Sequence, residues 1–461
     1  PVGADSSYFQ SVSLRQSKVS PESQLSIEID GEMIPLKYGE DFLVVSAPDH
    51  EVEFESDLIF TGFGIQAPEY HYDDFENVDV AGKVTLYLTG EPESGDADYF
   101  KGQASSKYTN GRVKRNIARS LNARATIGIA RTQLLQQMSW NMFRKFYTSA
   151  RVTLSNRSTQ RQARLPALFL HPNIGKILFS NTQMNFEGIE QAAAQDSLTS
   201  FAMNRKVRIK ARLEEKQIED RNVVALLEGS DPELKSEVVV FSAHYDHVGI
   251  GATVDGDSVY NGAADNASGI AGLLELAEAF STCPDPPKRS LLFLAVTAEE
   301  KGLLGSEYYV ENPIFPLSKT AANFNFDMIG WGDTTGIVVY GAERSSLGED
   351  IHEAADKIGL KILPDELPEQ RIFYRSDHYN FARKGIPTVF PSFGLARESF
   401  PDFEAYYHTP SDDVNLPFNY NYMKKHVQVV YLAGLKVANV EEPPKWNPGD
   451  EFGKIARSSD E

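Results

Sequence analysis

The sequence predicts an α/β fold with a mostly parallel central sheet flanked by helices, and three features carry that expectation. Short, nearly continuous apolar runs of β-branched character recur in the second half of the chain, each the length of a strand buried on both faces. Segments with apolar residues at helical spacing lie between or after them. Residue types suited to metal chemistry stand where these runs hand over to loops, and ligand sites in open parallel sheets lie at those carboxyl ends.

Taken in order, Glu237 to Ala243 (EVVVFSA) reads as a buried strand with His244 at its end and Asp246 two residues on. Asp265-Asn266 follow in a loop, just before Ser268, which is expected to cap a helix burying Ile270, Leu273, Leu274, Ala277 and Phe280. Ser290 to Thr297 (SLLFLAVT) leads into Glu299-Glu300, and Ala321 to Phe326 leads into Asp327. Tyr407-His408 comes later, before a helix with Met423, Val427, Val430 and Tyr431 on one face, expected to cover the sheet.

Alone, a His-x-Asp or a Glu-Glu is an ordinary loop or cap feature. Jointly, His244, Asp265, Glu300, Asp327 and His408 supply two imidazoles and three carboxylates, which suits two zinc-like ions if one carboxylate bridges and each ion keeps an open position. Water held between two such ions about 3.5–4 Å apart becomes a nucleophile near neutral pH. Something must take its proton, and of the adjacent pair Glu299 is assigned to that acid/base work and Glu300 to the metal. Asp246 is expected to orient the His244 imidazole from behind.

With these residues in view, the chain resembles the co-catalytic zinc aminopeptidases, relatives of glutamate carboxypeptidase and of the transferrin receptor ectodomain. The matching text is HYDHVG from His244, NGAADNASG from Asn261, TAEEKGLLGS from Thr297, NFDMIG from Asn325, RSDHYNF from Arg375, GIP from Gly385 and YHTPSDD from Tyr407. The resemblance implies a zinc exopeptidase-like fold and two Zn²⁺ per chain. It implies that Asp265 bridges them, that one takes His244 and Asp327, and that the other takes Glu300 and His408. It further implies that the peptide bond after Asp265 is cis and that peptides, cut from the amino end, are the substrates.

Leu58 to Pro92 resembles the opening of a protease-associated domain, a β-rich insert that this family often carries, and Arg164 to Pro172 (RLPALFLHP) fits its later part. Four segments are therefore expected: 1–50 packing on the catalytic domain or the insert, 51–205 as the insert, 206–440 as the catalytic domain and 441–461 as a Pro-rich wrap or loose end. A chain of 461 residues is too long for one ordinary core and agrees with such a division.

Composition narrows the setting. The chain is 41% hydrophobic, and no apolar run approaches the roughly 20 residues of a membrane span. Its single cysteine, Cys283, excludes an intrachain disulfide framework. Export to the periplasm, cell envelope or medium is expected, a removed leader being one way for a chain to begin at Pro1. The net charge is −20, yet Tyr99 to Phe186 contains 15 Lys and Arg and no acidic residue. That basic stretch suits docking on an acidic catalytic domain, or else an anionic surface or polymer. Nucleic acid is not expected, because no helix-turn-helix or RNA-binding signature organises these charges.

Around the substrate, Tyr407 is the first candidate for stabilising an oxyanion and Tyr374 the second. Arg375 is the candidate cation for a substrate carboxylate, which a carboxypeptidase or dipeptidase on the same scaffold would require. A glutaminyl cyclase would use one metal without needing His244, and a receptor-like binding module would have lost ligands. Asp377 and His378 are expected to open a helix, and GIGATVDG from Gly249 to form a flexible loop.

Overall fold

A computed structural model describes residues 1–2, 6–94, 96, 98–100, 106–156, 164–332, 334–393 and 400–455. The chain forms two compact units, one of Pro1–Leu14 with Ile218–Glu461 and the other of Arg15–Gln217. The chain crosses between them within the strands Phe9–Val19 and Leu213–Leu227.

In the first unit a mixed sheet runs in the order Leu213–Leu227, Ser290–Val296, Val238–His244, Thr320–Phe326, Thr388–Ser392, Gly336–Tyr340 and Lys361–Leu363. The three neighbours Ser290–Val296, Val238–His244 and Thr320–Phe326 are parallel, as is Thr388–Ser392 beside them. Leu213–Leu227 pairs antiparallel with Ser290–Val296 and Gly336–Tyr340 antiparallel with Thr388–Ser392, while Lys361–Leu363 runs parallel to Gly336–Tyr340. Alternation explains the unbroken apolar run VVVF. Val239, Phe241 and Ala243 enter one core with Phe293, Phe324 and helix residues Leu276 and Phe280, while Val238 and Val240 enter another with Leu292, Tyr309 and Phe381. Phe241 stacks between Phe293 and Phe324 with ring centroids 5.6 and 5.5 Å away. The helices Ser268–Ser281 and Tyr420–Asn439 supply much of the first core, and Met423, Val427, Val430 and Tyr431 all pack into it as expected.

Three local expectations need correcting. Ser268 begins its helix without capping it: its hydroxyl donates to the Ala264 carbonyl at 2.7 Å and accepts the Ile329 N–H at 3.0 Å. Leu274 is 65% exposed and so faces away from the core that holds Leu273 and Leu276. The Gly-rich stretch expected as a loop forms a hairpin, Gly249–Val254 against Asp257–Tyr260. Its tip, Asp255-Gly256, has both residues at positive φ, as a tight two-residue turn requires.

The second unit is built on an eight-stranded sheet with its own apolar core. Residues 15–50, set apart in the sequence reading, contribute three of those strands: Gln24–Ile29, Glu32–Leu36 and Phe42–Ser46. They pair with distant partners, Phe42–Ser46 with Ala167–Leu170 and Gln24–Ile29 with Phe201–Ala211. The unit therefore starts at Arg15 and ends at Gln217, where the sequence reading had 51 and 205. The expected tail is packed rather than loose as far as Phe452: Trp446 donates from Nε1 to the Gly385 carbonyl at 3.0 Å, and Phe452 is buried. Among the described residues, no helix is long and apolar enough to cross a membrane.

Candidate metal centre

Parallel register brings the chemistry together. His244 lies opposite Val296 on one side, and Ala243 lies opposite Phe326 on the other, so three strands end at one level. His244, Glu299-Glu300 and Asp327 follow from those ends, and Asp265 joins from the loop before helix Ser268–Ser281. His244 Nε2 lies 3.3 Å from Asp265 Oδ1 and 3.4 Å from Asp327 Oδ1. Asp265 presents its other oxygen, Oδ2, 3.2 Å from His408 Nε2, which is itself 3.1 Å from Glu300 Oε2. One carboxylate thus serves two groups of ligands.

The sequence reading missed His247. Its Nδ1 stands 2.9 Å from Glu300 Oε1 and 3.9 Å from Asp265 Oδ2. Both His247 Nδ1 and Glu300 Oε1 are buried, and among the described residues neither has a hydrogen bond of good geometry. The only signal was a second histidine three residues after His244, in a loop whose path the sequence does not specify.

Several contacts hold the ligands in place. His244 Nδ1 lies 3.1 Å from the main-chain carbonyl of Asp246; donating there, the ring presents its Nε2 lone pair to the carboxylates. The Asp246 carboxylate does something other than expected: it accepts the main-chain N–H of Glu299 at 2.9 Å and of Glu300 at 3.3 Å. Asp246 therefore orients the imidazole through its backbone and the glutamate pair through its side chain. The Asp265-Asn266 peptide bond is cis. Asn266 ties that loop to the Asp327 loop, donating to Phe326 O at 3.0 Å and accepting from Met328 N at 3.1 Å and Gly269 N at 3.0 Å. A Cβ on Gly269 would collide with the Asn266 side chain, so glycine is required there.

Asp412, also missed, accepts the N–H of Ala264 at 2.6 Å and of Asp265 at 3.0 Å. Behind Asp327 runs a buried polar chain. Asn323 donates to Ser242, Ser242 to Asn325, Asn325 to Ser376 and Ser376 to Asp327 Oδ2, over 2.7–3.0 Å at each step. It fixes one oxygen of Asp327 and leaves the other facing His244. Ala298, Met328 and His408, next to or within the candidate ligand set, all sit at positive φ between 53° and 55°, backbone that few non-glycine residues adopt.

The donor set fits divalent cations of the zinc class. Three acceptors, His244 Nε2, Asp265 Oδ1 and Asp327 Oδ1, converge, and only protons or a cation satisfy such a meeting. The titration behaviour says the same. Burial opposes charge on His244, but Asp327 and Asp265 outweigh it and lift its pKa well above the histidine range. His408 is likewise carried up to about 9, against its desolvation, by Asp265 and Glu300. Glu300 is held down to about 2, its burial overcome by His247 and His408. Glu299 goes the opposite way: burial, with Asp377, Asp327 and Asp265 adding to it and only His244 opposing, pushes its pKa well above the carboxylate range. Two carboxylates adjacent in sequence are thereby pushed in opposite directions.

A cavity of about 260 Å³ opens on this cluster, with His244, Asp265, Glu299 and Asp327 in its wall. Tyr407 lines it too, stacked between Phe403 and His408 at centroid distances of 4.7 and 3.8 Å. Arg375 lines it, and its guanidinium has no hydrogen bond or ion pair among the described residues. Tyr374 is not part of that wall. Its hydroxyl donates to Glu451 at 3.0 Å and accepts from Arg344 at 3.3 Å, which corrects its expected place beside the substrate. Asp377 precedes the helix His378–Ala382 as expected but does not cap it; it is buried and accepts the Ser306 hydroxyl at 2.5 Å.

Comparison with known proteins agrees with this geometry. The chain is 32% identical over 183 residues to "Aminopeptidase YwaD" of Bacillus subtilis, covering 39% of this chain and 36% of that protein. It is 35% identical over 167 residues to "Leupeptin-inactivating enzyme 1" of Streptomyces exfoliatus, covering 36% of this chain and 34% of that protein. The matched stretch therefore spans about a third of each of these relatives. An aminopeptidase from Aneurinibacillus sp. strain AM-1 shares the fold at a TM-score of 0.50 and 20% identity, over 96% of this chain and 88% of that one. The model of Peptidase family M28 matches residues 222–433, which include all of the candidate ligands. The similarity to peptidase family M28 thus runs over 212 residues, just under half of the chain.

Proposed function

We propose that this chain is a two-zinc aminopeptidase. The observation that carries the reading is the meeting of His244, Asp265 and Asp327 on one side and of Asp265, Glu300 and His408 on the other, with Glu299 in the wall of the same cavity. Zinc ions held by these residues would polarise the scissile carbonyl and activate water near neutral pH. Glu299 takes the proton of that water and returns it to the leaving amine, a transfer its exposure to the cavity permits. Tyr407 donates its hydroxyl where negative charge develops on the carbonyl oxygen. Asp246 and Asp412 act by position, fixing the glutamate pair and the Asp265 loop.

The cavity is smaller than the roughly 300–1,000 Å³ of pockets that take drug-sized ligands, which suits one residue at a chain end. Phe390, Phe393, Phe403 and Ile372 give it an apolar wall, and Glu299, Asp265 and Asp327 supply the anionic end beside which a free α-amine is held. We read the second unit as a protease-associated domain, on the resemblance of Leu58 to Pro92.

Arg375 favours a second reading, a carboxypeptidase or dipeptidase, because an unpaired guanidinium in the cavity wall suits a substrate carboxylate. Cleavage of one apolar peptide in three forms separates the two: free at both ends, N-acetylated, and C-terminally amidated. The aminopeptidase cuts the first and third alike and spares the acetylated one. Cleavage of the acetylated peptide at the rate of the free one, or loss of cleavage on amidation, overturns the assignment.

A further inference from the structure

The second unit contains a cavity of about 800 Å³, within the range of about 300–1,000 Å³ that buries small organic ligands. Its wall includes the turn Thr89–Glu93, the start of the helix Gly111–Ser120 and parts of the helices Thr132–Gln137 and Trp140–Thr148. One side is aromatic. Phe143 is fixed edge-on against Phe169 at 5.3 Å, and Phe169 is stacked on Trp140, while Phe146 stands 60% exposed.

The wall also carries cations, and its charges can be accounted for one by one. Arg131 pairs with Glu93 at 2.5 Å. Lys114 is buried and donates to the carbonyls of Phe63 and Gly90 at 2.5 and 2.6 Å. Glu91, the remaining acid on the wall, accepts from the N–H and hydroxyl of Ser106. Arg112, Arg115 and Arg151 are left, with no ion pair among the described residues, and Arg151 lies over the Phe146 ring at 4.6 Å. Arg115 is half-buried and lines the same wall as Tyr87 and Tyr147. The whole stretch Tyr99 to Phe186 contains no Asp or Glu to neutralise them.

A half-buried cation without a partner is costly, and a guanidinium fork matches a carboxylate in two parallel hydrogen bonds. We propose that this cavity binds the carboxylate end of a short apolar peptide, its charge on Arg115 with Arg112 and Arg151 and its side chains against Phe143 and Phe146. Guanidinium groups alone would take a phosphate equally well; the aromatic wall and the volume select an apolar body. All of the wall belongs to the second unit, so the proposal does not depend on the catalytic reading.

The test is calorimetric titration of the full chain with N-acetyl-Phe-Phe, with the same dipeptide as its C-terminal amide, and with phenyl phosphate. The acetyl group keeps the probe from being an aminopeptidase substrate. One equivalent of the carboxylate form should bind, more weakly as salt is raised. The amide, and the variants Arg115→Gln and Arg112→Gln, should each lose about tenfold or more in affinity. Arg112 is exposed, so its variant keeps the test valid if the Arg115 variant fails to fold. Glu299→Gln and His244→Ala should bind the probe as the parent does. Equal binding of acid and amide, binding unchanged in both arginine variants, tighter binding of phenyl phosphate than of the peptide, or no binding at millimolar probe would overturn the proposal.

Discussion

The carboxylate of Asp246 accepts the main-chain N–H of Glu299 at 2.9 Å, so the residue that follows the first ligand by two positions sets where the proposed base stands. Because His244 is held by the Asp246 carbonyl instead, the two tasks separate. Asp246→Asn keeps the carbonyl but sets an NH₂ group against one of the two glutamate amides. The expected result is retained zinc with turnover reduced about 10–100-fold, the usual cost of losing a partner behind a metal site. Metal analysis and steady-state rates on one preparation check it; loss of zinc before loss of rate would refute this division of labour.

Two imidazoles compete for Glu300. His247 Nδ1 is 2.9 Å from Oε1 and His408 Nε2 is 3.1 Å from Oε2. Each of His247→Ala and His408→Ala should weaken the second zinc ion about tenfold or more, and the double variant should abolish it while the first ion stays on His244 and Asp327. Zinc titration followed by competition with a chelator measures this. An unchanged second site in His247→Ala would make that residue a bystander.

Zinc affinity should fall with acidity from unusually high pH. His408 is raised to about 9, chiefly by Asp265 and Glu300 against its burial, so the metal-free chain protonates it below that pH and the proton must leave for zinc to bind. Apparent affinity therefore rises with pH through the range up to about 9. Competition titrations across that range check the sign; affinity constant down to the ordinary histidine range would contradict it.

Stability carries a separate acid dependence. His426 is fully buried in the helix Tyr420–Asn439, with no hydrogen bond on either ring nitrogen among the described residues, and burial lowers its pKa from 6.5 to about 3. The unfolded chain binds this proton first, so the stability is complete above 6.5 and is lost as pH falls toward 3. His426→Leu should flatten that part of the dependence in thermal melts between those limits. An unchanged slope would mean the ring is solvated.

How much of this was legible follows from where each contact is made. The meeting of His244, Glu300 and Asp327 was legible because each stands at or a few residues after the end of a strand whose apolar run is visible in the sequence, and parallel register does the rest. His247, Asp412 and Ser376 could not, because loop paths place them and loops leave no periodic signal. Tyr374 misled for the same reason: its neighbour Arg375 lines the cavity, but a turn directs Tyr374 to Arg344 and Glu451. The true start of the second unit escaped because Phe42–Ser46 pairs with residues more than a hundred positions away, which local pattern does not encode.

The central claim is that these side chains hold two zinc ions while Glu299 moves a proton without holding either. Native mass spectrometry of zinc-loaded parent and Glu299→Gln, with turnover measured on the same samples, tests it most directly. The account expects two zinc ions in both proteins and turnover lower by about 10²–10⁴ in the variant. A folded parent that takes up no zinc, or a variant that loses zinc along with its activity, would contradict it.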